Sequence, residues 1–301
     1  MLIEKIKEPF NLIIFGASGD LANLKLFPAL YELANQKRFQ ADFRIYGYAR
    51  TEMNEEEFRK KFRDAVKKHT EPNLFNQKIL DELVSHLHYF KGLYDDSADY
   101  KKFADVLLKA HDDKQVRNIA FFAVPPLAYE EIAKNMGQLK EKLGDNMQLM
   151  IEKPFGENRD TANELLQFIT NYFEKKDLFL IDHYLGKAAV KSILPLRYNN
   201  TILNLLLKGS EVSNIQISAL ETAGVDERVG FFDNVGIIKD MVQSHLLQIL
   251  ALLTMNMPIR REVHSIRREK GDILSSLRYP TDQCAMVVGQ YKSYKKIKGV
   301  K

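Results

Sequence analysis

"NLIIFGASGDLANLKLFPALYELANQ" (residues 11–36) carries three signals in order: a buried-strand run, a glycine turn, and apolar residues at helical spacing. Gly16 permits a sharp exit from the strand, and Gly19 lets the backbone approach a pyrophosphate. The helix that follows presents unpaired N–H groups to such an anion. The spacing is G-x-x-G rather than G-x-G-x-x-G. Two readings therefore stand for the turn taken alone: a phosphate cradle, or a glycine-rich connection with no ligand. Pro28, inside the helical run, predicts a kink or a late restart of the helix.

Outward from this stretch the alternation continues. "FRIYGYAR" (43–50) reads as a second strand that ends on Arg50 and Thr51, with no acid before Glu52. A dinucleotide fold that prefers NAD carries an acid near this strand end, whereas an arginine accommodates the extra phosphate of NADP. A solvated surface arginine is the plainer alternative. "NEEEFRKKFRDAVKKH" (54–69) opens with an Asn54-to-Glu57 capping pattern and sets Phe58, Phe62 and Val66 on one face. "NIAFFAV" (118–124), "YEEIAKNMGQLKEKL" (129–143), "QLMIE" (148–152) and "TANELLQFITNYF" (161–173) repeat the strand–helix order. This predicts an α/β domain over residues 1–180, a Rossmann-like, doubly wound parallel sheet with helices on both faces. After about residue 180 the pattern weakens. Segments such as "EVSNIQISALE" (211–221) predict a second α+β domain over 181–301 with a mainly antiparallel, incomplete sheet.

A chain of 301 residues suits two domains better than one core. Its net charge of +4, from 44 basic and 40 acidic residues, is too small and dispersed for a nucleic-acid partner, but it suits a pocket that receives anions. Cys284 is the sole cysteine, which excludes an intrachain disulfide and a multi-cysteine zinc site and favours a reducing cytoplasmic setting. The N-terminus lacks the continuous core of a signal peptide. The run "ILALLTM" is among the longest apolar stretches and falls far short of a span, so no membrane partner is expected. No ligand cluster proposes a metal.

Three segments hold candidate chemistry. "IDHYLGK" (181–187) packs an acid, an imidazole, a phenol and an amine behind the apolar run "LFL". In "NIQISALE", Glu221 shares a strand face with Ile215, Ile217 and Ala219, which reads either as an exposed strand end or as a carboxylate aimed into a cavity. "GIIKDMVQSHLLQILALL" (236–253) is an apolar helix with His245 on the face of Ile238 and Met241. A buried, merely hydrogen-bonded histidine is the plainer reading there. Asp240 precedes His245 by five positions, which on an ideal α-helix separates the two by about 140°.

Together these segments resemble the glucose-6-phosphate dehydrogenase family. "GASGDLA" with "KLFPALYEL", "GYAR", "VPPLAY", "EKPFG", "IDHYLGK", "FFDNVGIIKDMVQSHLLQ" and "VVGQY" occur in the family's order, from about residue 11 to about residue 291. The resemblance implies oxidation of glucose 6-phosphate to 6-phosphogluconolactone with NADP as cofactor, the first oxidative step of the pentose phosphate pathway. It implies that His245 is the catalytic base and that Asp182 orients it. His183, Tyr184 and Lys187 would hold the sugar phosphate, and Glu221 and Asp240 would hold sugar hydroxyls. Lys153 of "EKP" would lie between substrate and cofactor, with a cis bond to Pro154. Gly16, Ala17, Ser18, Gly19, Asp20, Leu21, Ala22 and Asn23 would form the NADP turn, with Arg50 on the adenosine phosphate and Tyr129 also touching the cofactor. The sequence departs from the family's common residues at Leu180, Ala188 and Ser244. Family members also continue well beyond "VVGQY", through strands that complete the second sheet and supply the surface of a homodimer or tetramer. The alternative for so short a chain is a catalytically inactive nucleotide-binding fragment.

Overall fold

The structure, a computed structural model, describes residues 5–110, 116–207, 209–220, 224, 229–278, 286–297 and 300. The chain divides into two compact units, residues 2–181 and 182–301.

The first unit is built on six strands: β1 (Phe10–Phe15), β2 (Phe43–Ala49), β3 (Leu87–Lys91), β4 (Arg117–Phe122), β5 (Met147–Glu152) and β6 (Leu178–Ile181). All pair in parallel, in the order β3-β2-β1-β4-β5-β6. This is the doubly wound order in which the chain reverses its outward progress between β1 and β4, and the crevice at their carboxyl ends is where such sheets bind ligands.

The period of two along β1 divides the core. Ile13 and Phe15 face one side, with Phe122 of β4 and with Phe103, Tyr129, Ile132 and Ile169 from α4 (Ser97–Lys109), α5 (Tyr129–Gln138) and α7 (Arg159–Thr170). Phe10 and Ile14 face the other, with Phe27, Phe58, Phe62 and Leu83 from α1 (Phe27–Asn35), α2 (Glu55–His69) and α3 (Gln77–Ser85). The one polar break in β1 is matched across the ladder, because buried Asn11 donates to Asn118 Oδ1 at 2.9 Å. The short helix α6 (Lys140–Leu143) follows α5.

The capping pattern forms as expected. Asn54 Oδ1 accepts from Glu57 N at 2.9 Å, and Glu57 Oε2 accepts from Asn54 N at 2.8 Å. Pro28 directly follows the π-helical turn Ala22–Leu26, inside a run that stays helical from residue 20 to 35, so the widened turn accommodates the proline and the helix neither stops nor restarts there. The Lys153–Pro154 bond is cis.

The second unit is helical among the described residues: α8 (Ala188–Asn199), α9 (Thr201–Leu206), α10 (Val229–Ile237), a π-helical segment (Ile238–Leu246), α11 (Leu247–Thr254) and α12 (Val263–Ser276). A break at Gly236, with φ of 74°, interrupts α10 near its end. The expected antiparallel sheet is not present among the described residues. Residues 214–220 are in no helix or strand, because a strand exists only with a ladder partner and alternation alone supplies none. Glu221 and Cys284 lie outside the described residues. Residues 235–254 also form a helix long and apolar enough by composition to cross a membrane, contrary to the reading of "ILALLTM" alone.

Arg197 holds this unit's helices together. It is 6% exposed. Its guanidinium donates to Asn204 Oδ1 at 2.9 Å, Leu252 O at 2.8 Å and Met255 O at 2.8 Å. The two carbonyls lie at the C-terminus of α11, where helical C=O groups lack intrahelical partners and the dipole favours a cation. Arg197→Ala is expected to cost about 2–4 kcal/mol, since it orphans these buried acceptors. Urea unfolding followed by circular dichroism checks this. Large apolar side chains remain exposed in the same unit, including Ile202 at 71%, Leu206 at 57% and Ile259 at 101%.

Candidate functional site

In the first unit the glycine turn sits at the β1–β4 crevice. Gly16 has φ of 82°, and a Cβ there would lie 2.2 Å from Ala123 O and 2.8 Å from Val124 Cγ1. Only glycine fits, by conformation and by space. Gly16 N donates to Tyr48 O at 2.9 Å, which ties the turn to β2. Gly19 N donates to Gly16 O at 2.9 Å, and the helix starts at Asp20, so exposed Gly19 and Asp20 stand at a helix N-terminus. Ala17 and Ala22 are buried beneath them, while Ser18, Leu21 and Asn23 are half-buried. Asn23 Nδ2 closes on Gly19 O at 2.7 Å, and Asn23 Oδ1 is buried with no hydrogen-bond partner among the described residues.

The end of β2 bears on the same turn. Thr51 Oγ1 donates to Ser18 Oγ at 2.8 Å. Arg50 is exposed, with its guanidinium 5.4 Å from the centroid of the Tyr94 ring. Glu52, the first acid after the strand, pairs with Lys91 of β3. A turn with left-handed Gly16, an open helix N-terminus and cations instead of an acid at the β2 end fits a phosphorylated dinucleotide. Tyr129 lies deeper. Its hydroxyl donates to Glu152 O at 3.2 Å, and burial pushes the phenol up to about 12, so its role is to brace the end of β5. Lys153 is half-buried directly after that strand.

The second unit begins with the acid of "IDHYLGK". Asp182 Oδ1 accepts from Tyr184 N at 2.9 Å, and Gly186 N donates to His183 O at 3.2 Å. The side chain thereby shapes the turn that presents the next residues. The same Oδ1 lies 2.6 Å from His245 Nδ1. A carboxylate is an acceptor, so Nδ1 carries a proton, and in the neutral imidazole Nε2 is then the nitrogen with the lone pair. His245 is 0% exposed. The Tyr184 ring stacks on it at 4.4 Å and 16°, and the exposed His183 ring meets it edge-on at 4.7 Å. Lys187 places its ammonium 3.7 Å over the Tyr184 ring. The acid, imidazole, phenol and amine of residues 181–187 thus form one cluster with His245, which lies 63 residues after Asp182 in the sequence.

The helix carrying His245 corrects one expectation. Ile238–Leu246 is π-helical, with Leu247 N bonded to Val242 O and Ser244 Oγ donating to Lys239 O at 2.9 Å. In that geometry residues five apart are hydrogen-bonded neighbours, so Asp240 and His245 share a side instead of diverging as on an α-helix.

Two features escape sequence spacing. Lys270, on α12, interacts with Asp182. Burial pushes its ammonium below the ordinary value, Asp182 opposes that shift and Arg267 adds to it. Asp182, His183 and His245 also bring potential metal-ligand atoms within 4.8 Å of one another, a grouping the sequence reading did not contain. The 2.6 Å contact between Asp182 and His245 is a hydrogen bond that a shared ion would have to break.

Residues 13–192 match the family described as "Glucose-6-phosphate dehydrogenase, NAD binding domain", and residues 194–301 match "Glucose-6-phosphate dehydrogenase, C-terminal domain". A glucose-6-phosphate 1-dehydrogenase of Hanseniaspora uvarum is 34% identical over 294 residues, covering 93% of this chain and 57% of that protein. One from Helicobacter pylori is 35% identical over 287 residues, covering 95% of this chain and 64% of that protein. Among solved structures, a glucose-6-phosphate dehydrogenase in complex with its substrate glucose 6-phosphate superposes with a TM-score of 0.87 at 33% identity, covering 100% of this chain and 64% of that one. A Mycobacterium avium glucose-6-phosphate 1-dehydrogenase gives a TM-score of 0.85 at 29% identity, covering 96% of this chain and 62% of that one. The chain therefore spans roughly half to two thirds of the length of these relatives.

Proposed function

Because the chain belongs to the glucose-6-phosphate dehydrogenase family, we propose that it oxidises D-glucose 6-phosphate at C1 to 6-phosphogluconolactone, with NADP as its cofactor. The observation that carries this is the 2.6 Å contact between Asp182 Oδ1 and His245 Nδ1 inside a cluster of phosphate-binding side-chain types. Asp182 holds the proton on Nδ1, which leaves Nε2 to take the proton of the C1 hydroxyl. Its charge then stabilises the imidazolium that results. Bound NADP supplies the acceptor for the hydride that leaves C1 as the carbonyl forms.

His183, Tyr184 and Lys187 hold the phosphate in this proposal, since a dianionic ester rewards several charge-assisted donors together. Asp240 and Glu221 hold sugar hydroxyls, and Lys153 adds a cation. Residues Gly16 to Asn23 and Arg50 belong to the NADP site, and buried Tyr129 serves that site through the end of β5 that it braces. In this reading residues 1–180 are the NADP-binding domain, and residues 181–301 are part of a substrate and dimerisation domain. Residues 211–220, in no strand among the described residues, would become an edge of the antiparallel sheet expected of the second domain once a ladder partner is supplied. The setting is the cytoplasm, as a homodimer or tetramer if the family's assembly forms, with no nucleic-acid or membrane partner.

Lys187→Met is expected to weaken glucose 6-phosphate binding by about tenfold, the value of one charge-assisted contact, with NADP affinity unchanged. Calorimetric titration with each ligand separately checks it; unaltered sugar-phosphate affinity removes Lys187 from the site. A second reading, a nucleotide-binding fragment without turnover, is favoured by the apolar side chains exposed in the second unit, such as Ile202 at 71%. It predicts NADP binding with no measurable affinity for the sugar phosphate.

A further inference from the structure

We propose that Lys61 is a second cation of the nucleotide cradle, reading the extra phosphate of NADP alongside Arg50. This rests on the reading of the first unit as an NADP-binding domain. The resemblance to the family did not single out Lys61; the geometry does.

Lys61 lies in α2, one element beyond β2, whose end at Ala49 leads directly into Arg50. Its Nζ reaches back to the glycine turn and donates to Ser18 O at 2.6 Å. The hydroxyl of the same Ser18 accepts from Thr51 Oγ1 at 2.8 Å. Three separate segments, the glycine turn, the end of β2 and the face of α2, are thus closed into one hydrogen-bonded chain. It carries two hydroxyls and an ammonium, with Arg50 adjoining Thr51. In a dinucleotide fold the end of β2 is where the adenosine ribose and its 2′ substituent are read.

Lys61 has capacity to spare. An ammonium has three N–H donors, and the Ser18 carbonyl takes one. The acids that open α2 are engaged elsewhere: Glu55 with Arg59, Glu56 with Arg63, and Glu57 with the backbone of Asn54. Glu52 is drawn to Lys91. Lys61 is half-buried, and its side chain also lines a groove of about 470 Å³ with Asp20, Glu57, Lys60, Asp64 and Lys68, so it is open to solvent on the α2 side of the turn. A phosphate monoester is well served by the planar fork of Arg50 for bidentate contact together with the compact charge of Lys61.

The test is direct titration of the full chain and its Lys61→Met and Lys61→Arg variants with NADP and with NAD, followed by calorimetry. The wild-type chain should bind NADP more tightly than NAD. Lys61→Met should weaken NADP by about tenfold and change NAD by less than about twofold, while Lys61→Arg should keep most of the preference. A Lys61→Met variant with the wild-type NADP-to-NAD ratio overturns the inference. So does one that weakens both nucleotides equally, because Lys61 then only braces the turn. A wild-type chain that binds neither nucleotide overturns the underlying domain reading instead, which keeps the two failures apart.

Discussion

His245→Asn is expected to slow glucose 6-phosphate oxidation by about 10³- to 10⁴-fold while leaving NADP affinity unchanged. Asparagine preserves the polarity and approximate size of the side chain but offers no basic lone pair for the substrate proton. Asp182→Asn is a subtler lesion. Its carbonyl still accepts from a ring N–H, yet it carries no charge to stabilise the imidazolium. A loss of about 10²-fold or more is expected from it. Because Asp182 acts on the reaction through the His245 imidazole, the double variant should be little worse than His245→Asn alone. Steady-state kinetics on the four proteins of this cycle check the prediction. Multiplicative losses would show that Asp182 and His245 contribute separately, despite their 2.6 Å contact.

Gly16→Ala is expected to unfold or severely loosen the first unit and to abolish nucleotide binding. The backbone there has φ of 82°, where an L-residue pays about 1–2 kcal/mol. The added Cβ would sit 2.2 Å from Ala123 O, a collision with backbone at the meeting of β1 and β4. Relieving such overpacking costs about another 1–3 kcal/mol, so the total reaches a large share of the roughly 5–15 kcal/mol that stabilises a domain. Gly19→Ala is the matched control. Its Cβ would approach Gly16 O at 3.2 Å, tight but not impossible. It should lower nucleotide affinity with a far smaller shift in the urea midpoint. Equal stability of the two variants would contradict the placement of Gly16.

The elements flanking the glycine turn were legible because each obeys a simple period. The apolar run of β1 is buried on both faces, and the Asn54–Glu57 box announces α2 by local chemistry. β3 was not identified. It is an edge strand, mostly half-buried, and His88 and Lys91 interrupt its apolar pattern. The alternation of Ile215, Ile217 and Ala219 shows what a strand could bury, but it cannot supply a ladder partner, and none is present among the described residues.

The site was harder to read than the sheet. Side-chain spacing cannot connect Asp182 to His245 across 63 residues, and only the family resemblance paired them. The π-helical segment has no residue signature, because a shift of hydrogen bonding from i+4 to i+5 leaves the apolar pattern nearly intact. An α-helical reading therefore separates Asp240 from His245 more widely than the i+5 bonding of this segment does. Lys270 and Lys61 were missed for a related reason: each acts across an element boundary, on Asp182 and on the Ser18 carbonyl respectively. A lysine on a helix otherwise reads as a solvated charge.

The most direct measurement is turnover by the purified 301-residue chain supplied with NADP and glucose 6-phosphate, with cofactor binding measured in parallel. The account predicts steady formation of reduced NADP, lost in His245→Asn while that variant still binds the cofactor. A wild-type chain that binds NADP and glucose 6-phosphate yet forms no reduced NADP would contradict it.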